Sequence, residues 1–176
     1  LNAGNGSIAI GKNAGEQNLA ERSICIGQDT ISTGVDSVVI GTSATSGVST
    51  GAVSIGNVAD ATGDGGIAVG ESSNASGDFS TCVGKGGNAT AENACAFGRQ
   101  AEASGVGSIS LGFSSVASGE NSICIGNSST SGVADRCVIK VSDDNFFLTN
   151  YLNGSLSTVS GKVVSTSDRR LKRNIT

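Results

Sequence analysis

Residues 105–130 read GVGSISLGFSSVASGENSICIGNSST. Two short apolar runs, ending at Leu111 and Ile125, each close on a glycine, and those glycines, Gly112 and Gly126, lie 14 positions apart. The same figure recurs along the chain. Its closing glycines are Gly11, Gly27, Gly41, Gly56, Gly70, Gly84, Gly98, Gly112 and Gly126, at spacings of 16, 14, 15 and then 14 without interruption. A fixed period of this length marks a solenoid, in which each repeat is one coil that stacks on the next.

Within each unit the residue before the glycine is apolar: Ile10, Ile26, Ile40, Ile55, Val69, Val83, Phe97, Leu111 and Ile125. The residue two places earlier is mostly apolar too, with Thr81 and Cys95 the exceptions. Alternation with a period of two, closed by glycine, predicts a short strand. The second half of the unit supplies a small residue (Ala75, Ala103, Ala117) and a turn glycine (Gly77, Gly105, Gly119), which predicts a weaker second strand. Two strands and two turns in 14 residues make a parallel β-solenoid, and nine coils stacked at ~4.8 Å give a rod of roughly 40 Å. The chain has no proline, as expected where strand interiors donate to a neighbouring coil.

Composition agrees with order by repetition. Gly is 27 of 176 residues, aromatics are 3%, and Trp and Met are absent, so a conventional large-residue core is excluded. The absence of Met and an opening inside the pattern predict a piece of a longer polypeptide. No apolar run approaches the ~18 residues of a membrane-spanning helix, so no membrane insertion is expected. With no His and five cysteines, Cys25, Cys82, Cys95, Cys124 and Cys137, never spaced C-x-x-C, neither a metal site nor a cofactor is expected. The cysteines read as small buried hydrophobes.

A coil this small has a thin core, about two branched aliphatics against one or two alanines. At ~25 cal/mol per Å² that burial hardly offsets the ordering of a coil. Identical copies packed about the rod axis would repair the deficit. The expected interface is the set of small residues beside the aliphatics: Ala9, Cys25, Ser54, Ala68, Cys82, Ala96, Ser110 and Cys124.

The units GENSICIGNSST (119–130) and GVGSISLGFSSVASG (105–119) resemble the head repeats of trimeric autotransporter adhesins, whose pattern is Asn-Ser-Val-Ala-Ile-Gly followed by a small-residue stretch. That resemblance covers residues 1 to about 132. It implies a homotrimeric, left-handed parallel β-roll, with the longer early units accommodated as bulged turns.

Beyond Gly132 the pattern stops. Residues 133–166 contain Phe146, Phe147 and Tyr151, a hairpin signal at Asn153-Gly154, and strand-like runs CVIKV and GKVV, which together predict a small β cap. The aromatic trio is also the candidate sugar-binding platform. Residues 167–176 read SDRRLKRNIT. They resemble the opening of the self-cleaving intramolecular chaperone domain of endosialidase tailspikes and other viral tail fibres. Arg170, Leu171, Asn174 and Ile175 match its motif, and the resemblance implies cleavage between Ser167 and Asp168 with Ser167 and Lys172 as the catalytic pair. A lysine acts as base only when its pKa is lowered, and Arg169, Arg170 and Arg173 are the cations that would do it.

One short basic cluster on a chain of net charge −4 makes a poor phosphate footprint, so no nucleic-acid partner is expected. ATGDGG (61–66) lacks the repeated register of calcium-binding rolls, and scattered threonines argue against an ice-binding array. No carboxylate pair stands out for glycoside hydrolysis, so the chain is not expected to be an enzyme apart from single-turnover cleavage at its end.

Rod and tail together favour a homotrimeric attachment fibre of a virion, assembled in the host cytoplasm and binding a host-surface glycan or envelope receptor. The alternatives are the head of a bacterial cell-surface adhesin and the non-catalytic shaft of a polysaccharide depolymerase. If the chaperone resemblance holds, a polypeptide carrying that whole domain releases a fragment beginning at Asp168, seen by mass spectrometry. Ser167→Ala and Lys172→Ala each leave it intact, and release from either variant refutes the assignment.

Overall fold

In the computed structural model the structure describes residues 4–16 and 19–140. The chain divides into two units, Leu1–Asp143 and Asp144–Thr176, and the second lies wholly outside the described residues. The described part is all-β, a parallel solenoid of about nine turns.

Ten strands stack in the first sheet: β1 (Ile8–Ile10), β2 (Ile24–Ile26), β3 (Val38–Ile40), β4 (Val53–Ile55), β6 (Ile67–Val69), β8 (Thr81–Val83), β10 (Cys95–Phe97), β12 (Ile109–Leu111), β14 (Ile123–Ile125) and β16 (Cys137–Ile139). Six two-residue strands form the second: β5 (Asp60–Ala61), β7 (Asn74–Ala75), β9 (Asn88–Ala89), β11 (Glu102–Ala103), β13 (Val116–Ala117) and β15 (Thr130–Ser131). All pairing is parallel and follows the repeat residue for residue, as in Val83 beside Phe97 beside Leu111. Cys137–Ile139, which the sequence places in the capping segment, is in register as the tenth strand of the first sheet.

The two irregular spacings are absorbed outside the first sheet. Val38 still pairs with Val53, although 15 residues separate them. The additional residue falls in the turn after Thr45, and Val48 there is 86% exposed. Between β1 and β2 the 16-residue spacing likewise leaves Ile8, Ala9 and Ile10 paired with Ile24, Cys25 and Ile26.

The turns stack as closely as the strands. Phe79 N–H donates to Asp64 O at 2.7 Å, Asn93 N–H to Asp78 O at 2.9 Å and Gly107 N–H to Glu92 O at 2.9 Å, so the ladder of one coil runs on around the corner. Glycine follows each first-sheet strand but the last, Cys137–Ile139, and it is required twice over. Gly98 has φ +133°, a region side chains disfavour, and a Cβ on it would lie 2.5 Å from the Gly112 carbonyl oxygen.

The interior reverses the sequence expectation of which residues face inward. Cys25, Val39, Ser54, Ala68, Cys82, Ala96, Ser110 and Cys124, the middle residues of their strands, are fully buried inside the coil. They face Ala61, Ala75, Ala89, Ala103 and Ala117 of the second sheet, also fully buried. The central core cluster consists of alanines and Cys82. The aliphatics on either side of each middle residue point out: Ile67 and Ile109 are 36% and 38% exposed, Leu111 45%. A coil of 14 residues brings its two sheets close together, so methyl, hydroxyl and thiol groups fill most of it, and the branched Val39 lies in the N-terminal core cluster with Ala14, Leu19, Cys25 and Ala44. Alternation defines two faces of a strand, but not which face is inside.

Serine serves this interior because its hydroxyl can return a hydrogen bond to the backbone: Ser54 Oγ donates to Ala59 O at 2.8 Å, and Ser110 and Ser115 hydroxyls meet at 2.7 Å. The glycine column is the most sensitive part of this design. Gly98→Ala is expected to cost at least about 2 kcal/mol in urea unfolding, whereas Thr90→Ala, on the exposed side of the second sheet, should be close to neutral. Equal effects would mean that the coils do not approach as described.

Candidate functional site

The outward aliphatics form two parallel columns on the first sheet. One runs Ile8, Ile24, Val38, Val53, Ile67, Thr81, Cys95, Ile109, Ile123, Cys137, and the other is the column of last strand residues from Ile10 to Ile139. Ten strands span nine intervals, so the stripe is ~43 Å long at ~4.8 Å per interval. Interrupted at Thr81 alone, an exposed apolar stripe of this length marks an interaction surface. It was legible in the sequence as a pattern, but assigned to the core.

The opposite sheet presents a polar ladder. Asp60, Asn74, Asn88 and Glu102 occupy the same position on successive coils. Asn74 Nδ2 donates to Asn88 Oδ1 at 2.9 Å, continuing the backbone ladder with side-chain amides. Asp60 Oδ1 is buried without a hydrogen-bond partner among the described residues, and burial raises its pKa above the usual aspartate value. The signal for this ladder in the sequence is a polar Asp, Asn or Glu recurring at 14-residue spacing.

Between the sheets run two columns of turns. In the turn leading back to the first sheet, carboxylates bond the coil before them: Asp64 Oδ1 accepts from Thr50 N–H at 3.0 Å, and Asp78 Oδ1 from Asp64 N–H at 3.1 Å. Near the N-terminal end Arg22 pairs with Asp36 at 2.6 Å, which lowers the Asp36 pKa through their hydrogen bond. At the other turn column Lys85 pairs with Glu71 at 2.9 Å, and the Arg99 guanidinium lies 4.4 Å from the Phe113 ring centroid. A small open cleft near the N-terminal end is lined by Asn13, Glu16, Asp29 and Ile31.

The cysteines divide by column. Cys25, Cys82 and Cys124 lie inside the coil and not at an outer face, and burial raises their thiol pKa. Cys95 is half-buried and Cys137 exposed, both on the outward aliphatic stripe. The other sequence candidates, the catalytic pair Ser167 and Lys172 and the aromatic trio Phe146, Phe147 and Tyr151, lie outside the described residues.

Comparison with known proteins adds two findings. The family model described as YadA head domain repeat (2 copies) matches residues 61–86, 89–115 and 103–129. The solved collagen-binding domain of the Yersinia adhesin YadA is similar in fold, with a TM-score of 0.55 and 22% sequence identity over 95% of this chain and 97% of that one. No curated protein sequence matches significantly. These likenesses support the head-repeat resemblance, and they lend no support to a viral tail fibre or to the chaperone domain.

The polar ladder yields a pH-dependent expectation. Asp60 binds its proton more tightly folded than unfolded, so its contribution to stability falls as pH rises through its unfolded pKa and stays low at neutrality. Asp60→Asn should raise the melting temperature at pH 7 and give little gain at pH 3, where both states carry a protonated aspartate. A gain of the same size at both pH values would show that burial of the charge is not the cause.

Proposed function

We propose that this chain forms the head rod of a trimeric bacterial surface adhesin. Three copies lie parallel with their aliphatic stripes toward a common axis, and their polar ladders face outward to a host ligand. The observation that carries this reading is the continuous outward stripe of Ile, Val, Leu and Phe on the first sheet. A single coil filled by alanine, serine and cysteine buries little apolar area, and covering the stripe supplies what the interior does not. Three is the copy number that the head-repeat likeness suggests, and the cell surface is the location it implies.

For the ligand, we take the likeness to a collagen-binding domain as the guide and propose an extended matrix protein of the collagen type. A rod with a flat outer face built of amides, hydroxyls and carboxylates at regular intervals suits a long polar partner better than a small molecule. The largest open feature such a partner would cross is the Asp60, Asn74, Asn88, Glu102 ladder with its neighbouring Thr62, Ser76 and Thr90, all exposed or half-exposed. A host glycan is the other ligand class to be tested alongside it.

The closing stretch SDRRLKRNI favours a second reading, the attachment fibre of a virion matured by self-cleavage at Ser167-Asp168. Both readings share the trimeric rod; they differ in the domain joined to its C-terminal side, a cleavable chaperone in the viral case.

Light scattering should give three times the chain mass of 17.2 kDa, and Ile109→Asp, which puts a carboxylate in the middle of the stripe, should shift that mass toward one chain. Immobilised collagen should retain the parent and lose the variant. A monomeric parent, or a parent held by glycan and not by collagen, would refute the corresponding part of the proposal.

A further inference from the structure

In a rotationally closed assembly about an axis parallel to the stack, the two edges of each coil are not equivalent. Rotation brings the turn column that leaves the first sheet on one copy beside the turn column that returns to it on the next. Closure also keeps height: a residue meets the neighbour's residue of the same coil. Equivalent positions on the two edges are seven residues apart in sequence, for example Asp78 on the returning turn and Lys85 on the leaving turn.

The exposed residues at that offset are complementary over three successive coils. Asp78 corresponds to Lys85, Glu92 to Arg99, and Val106 to Phe113. The last two are 48% and 40% exposed, large apolar groups with no reason to face water on both edges of a lone chain. Size is matched as well as charge. Phe79, 64% exposed and held at φ 57° where a small residue is usual, corresponds to Gly86. Near the N-terminal end Arg22 corresponds to Asp29, and Val58, 51% exposed, corresponds to Gly51. The one like-charged pair, Asp64 with Glu71, has the Lys85 ammonium 2.9 Å from the glutamate.

We infer that neighbouring copies meet edge to edge at equal height, with the Asp78–Lys85 and Glu92–Arg99 ion pairs and the Val106–Phe113 contact each made between subunits. This rests on the proposed parallel oligomer and adds its register. The ionic pairs, being at the rim, set orientation more than affinity, while Val106 and Phe113 exclude water from the seam where it approaches the apolar stripe.

Cysteine cross-linking tests it. Val106→Cys and Phe113→Cys are combined in the full chain, with Cys95→Ala and Cys137→Ala removing the native thiols of the outer stripe. Within one chain the strand Ile109–Leu111 lies between the two positions and holds them roughly 10 Å or more apart at ~3.3 Å per residue, beyond disulfide reach. Mild oxidation should therefore convert the double variant from background cross-linking to covalent dimer and closed trimer as the major species, with either single variant remaining at background. A trimer by light scattering that forms no covalent ladder refutes edge pairing while leaving the trimer standing. A monomeric parent refutes both.

Discussion

The width of the coil interior governs the rest of this structure. Strands of three and two residues joined by tight turns leave room for a methyl, a hydroxyl or a thiol between the sheets, and little more. That restriction explains the composition, with serine, alanine or cysteine at most inward positions, Val39 being among the exceptions, and few aromatics. It also expels the branched aliphatics, which must go to the outer side of the first sheet. A rod made this way buries small side chains and leaves most of its large ones uncovered. Its need for partners follows from its own geometry.

Stacking answers the other half of the problem. Each coil contacts only the coils above and below, so its order depends on nearest neighbours repeated without error. The glycine after each of the first nine first-sheet strands lets adjacent backbones approach at the corner, and the turn amides continue the ladder there. The insertion near Val48 shows which departures the stack accepts. An additional residue thrown outward from a turn leaves Val38 opposite Val53, whereas an additional residue in a strand would turn its aliphatics inward, into a space filled mostly by alanine, serine and cysteine.

Strand positions, parallel pairing and register were legible because glycine spacing and period-two alternation both report on the backbone, and both were regular from Gly56 onward. Orientation was not legible, since alternation is symmetric: Ile24-Cys25-Ile26 can place either cysteine or the isoleucines inside. The rule that large apolar residues belong to the core decides wrongly here, because it presumes an interior of ordinary thickness. The second sheet was only faintly visible, its strands being two residues long and its outward positions occupied by Asp, Asn and Glu, residues that read as loop. The columns along the edges could not be read before the coil had a defined half-turn, since a seven-residue offset has meaning only once residues 78 and 85 are known to sit on opposite edges.

The edge columns also show how height could be specified between otherwise uniform rods. The apolar stripe does it weakly, since Ile, Val and Leu at most levels slide past one another at little cost. Charge alone is weak too: a shift by one coil would set Asp64 beside Lys85 and Asp78 beside Arg99, pairs as favourable as those in register. The apolar and size-matched positions discriminate. The same shift would place Val106 against Asn127 and Phe79 against Gln100, leaving Phe113 to meet Glu92. Interior and glycine corners are held nearly constant by packing within the chain while the turn edges vary along the rod, and the variation found there is what alignment between copies would require.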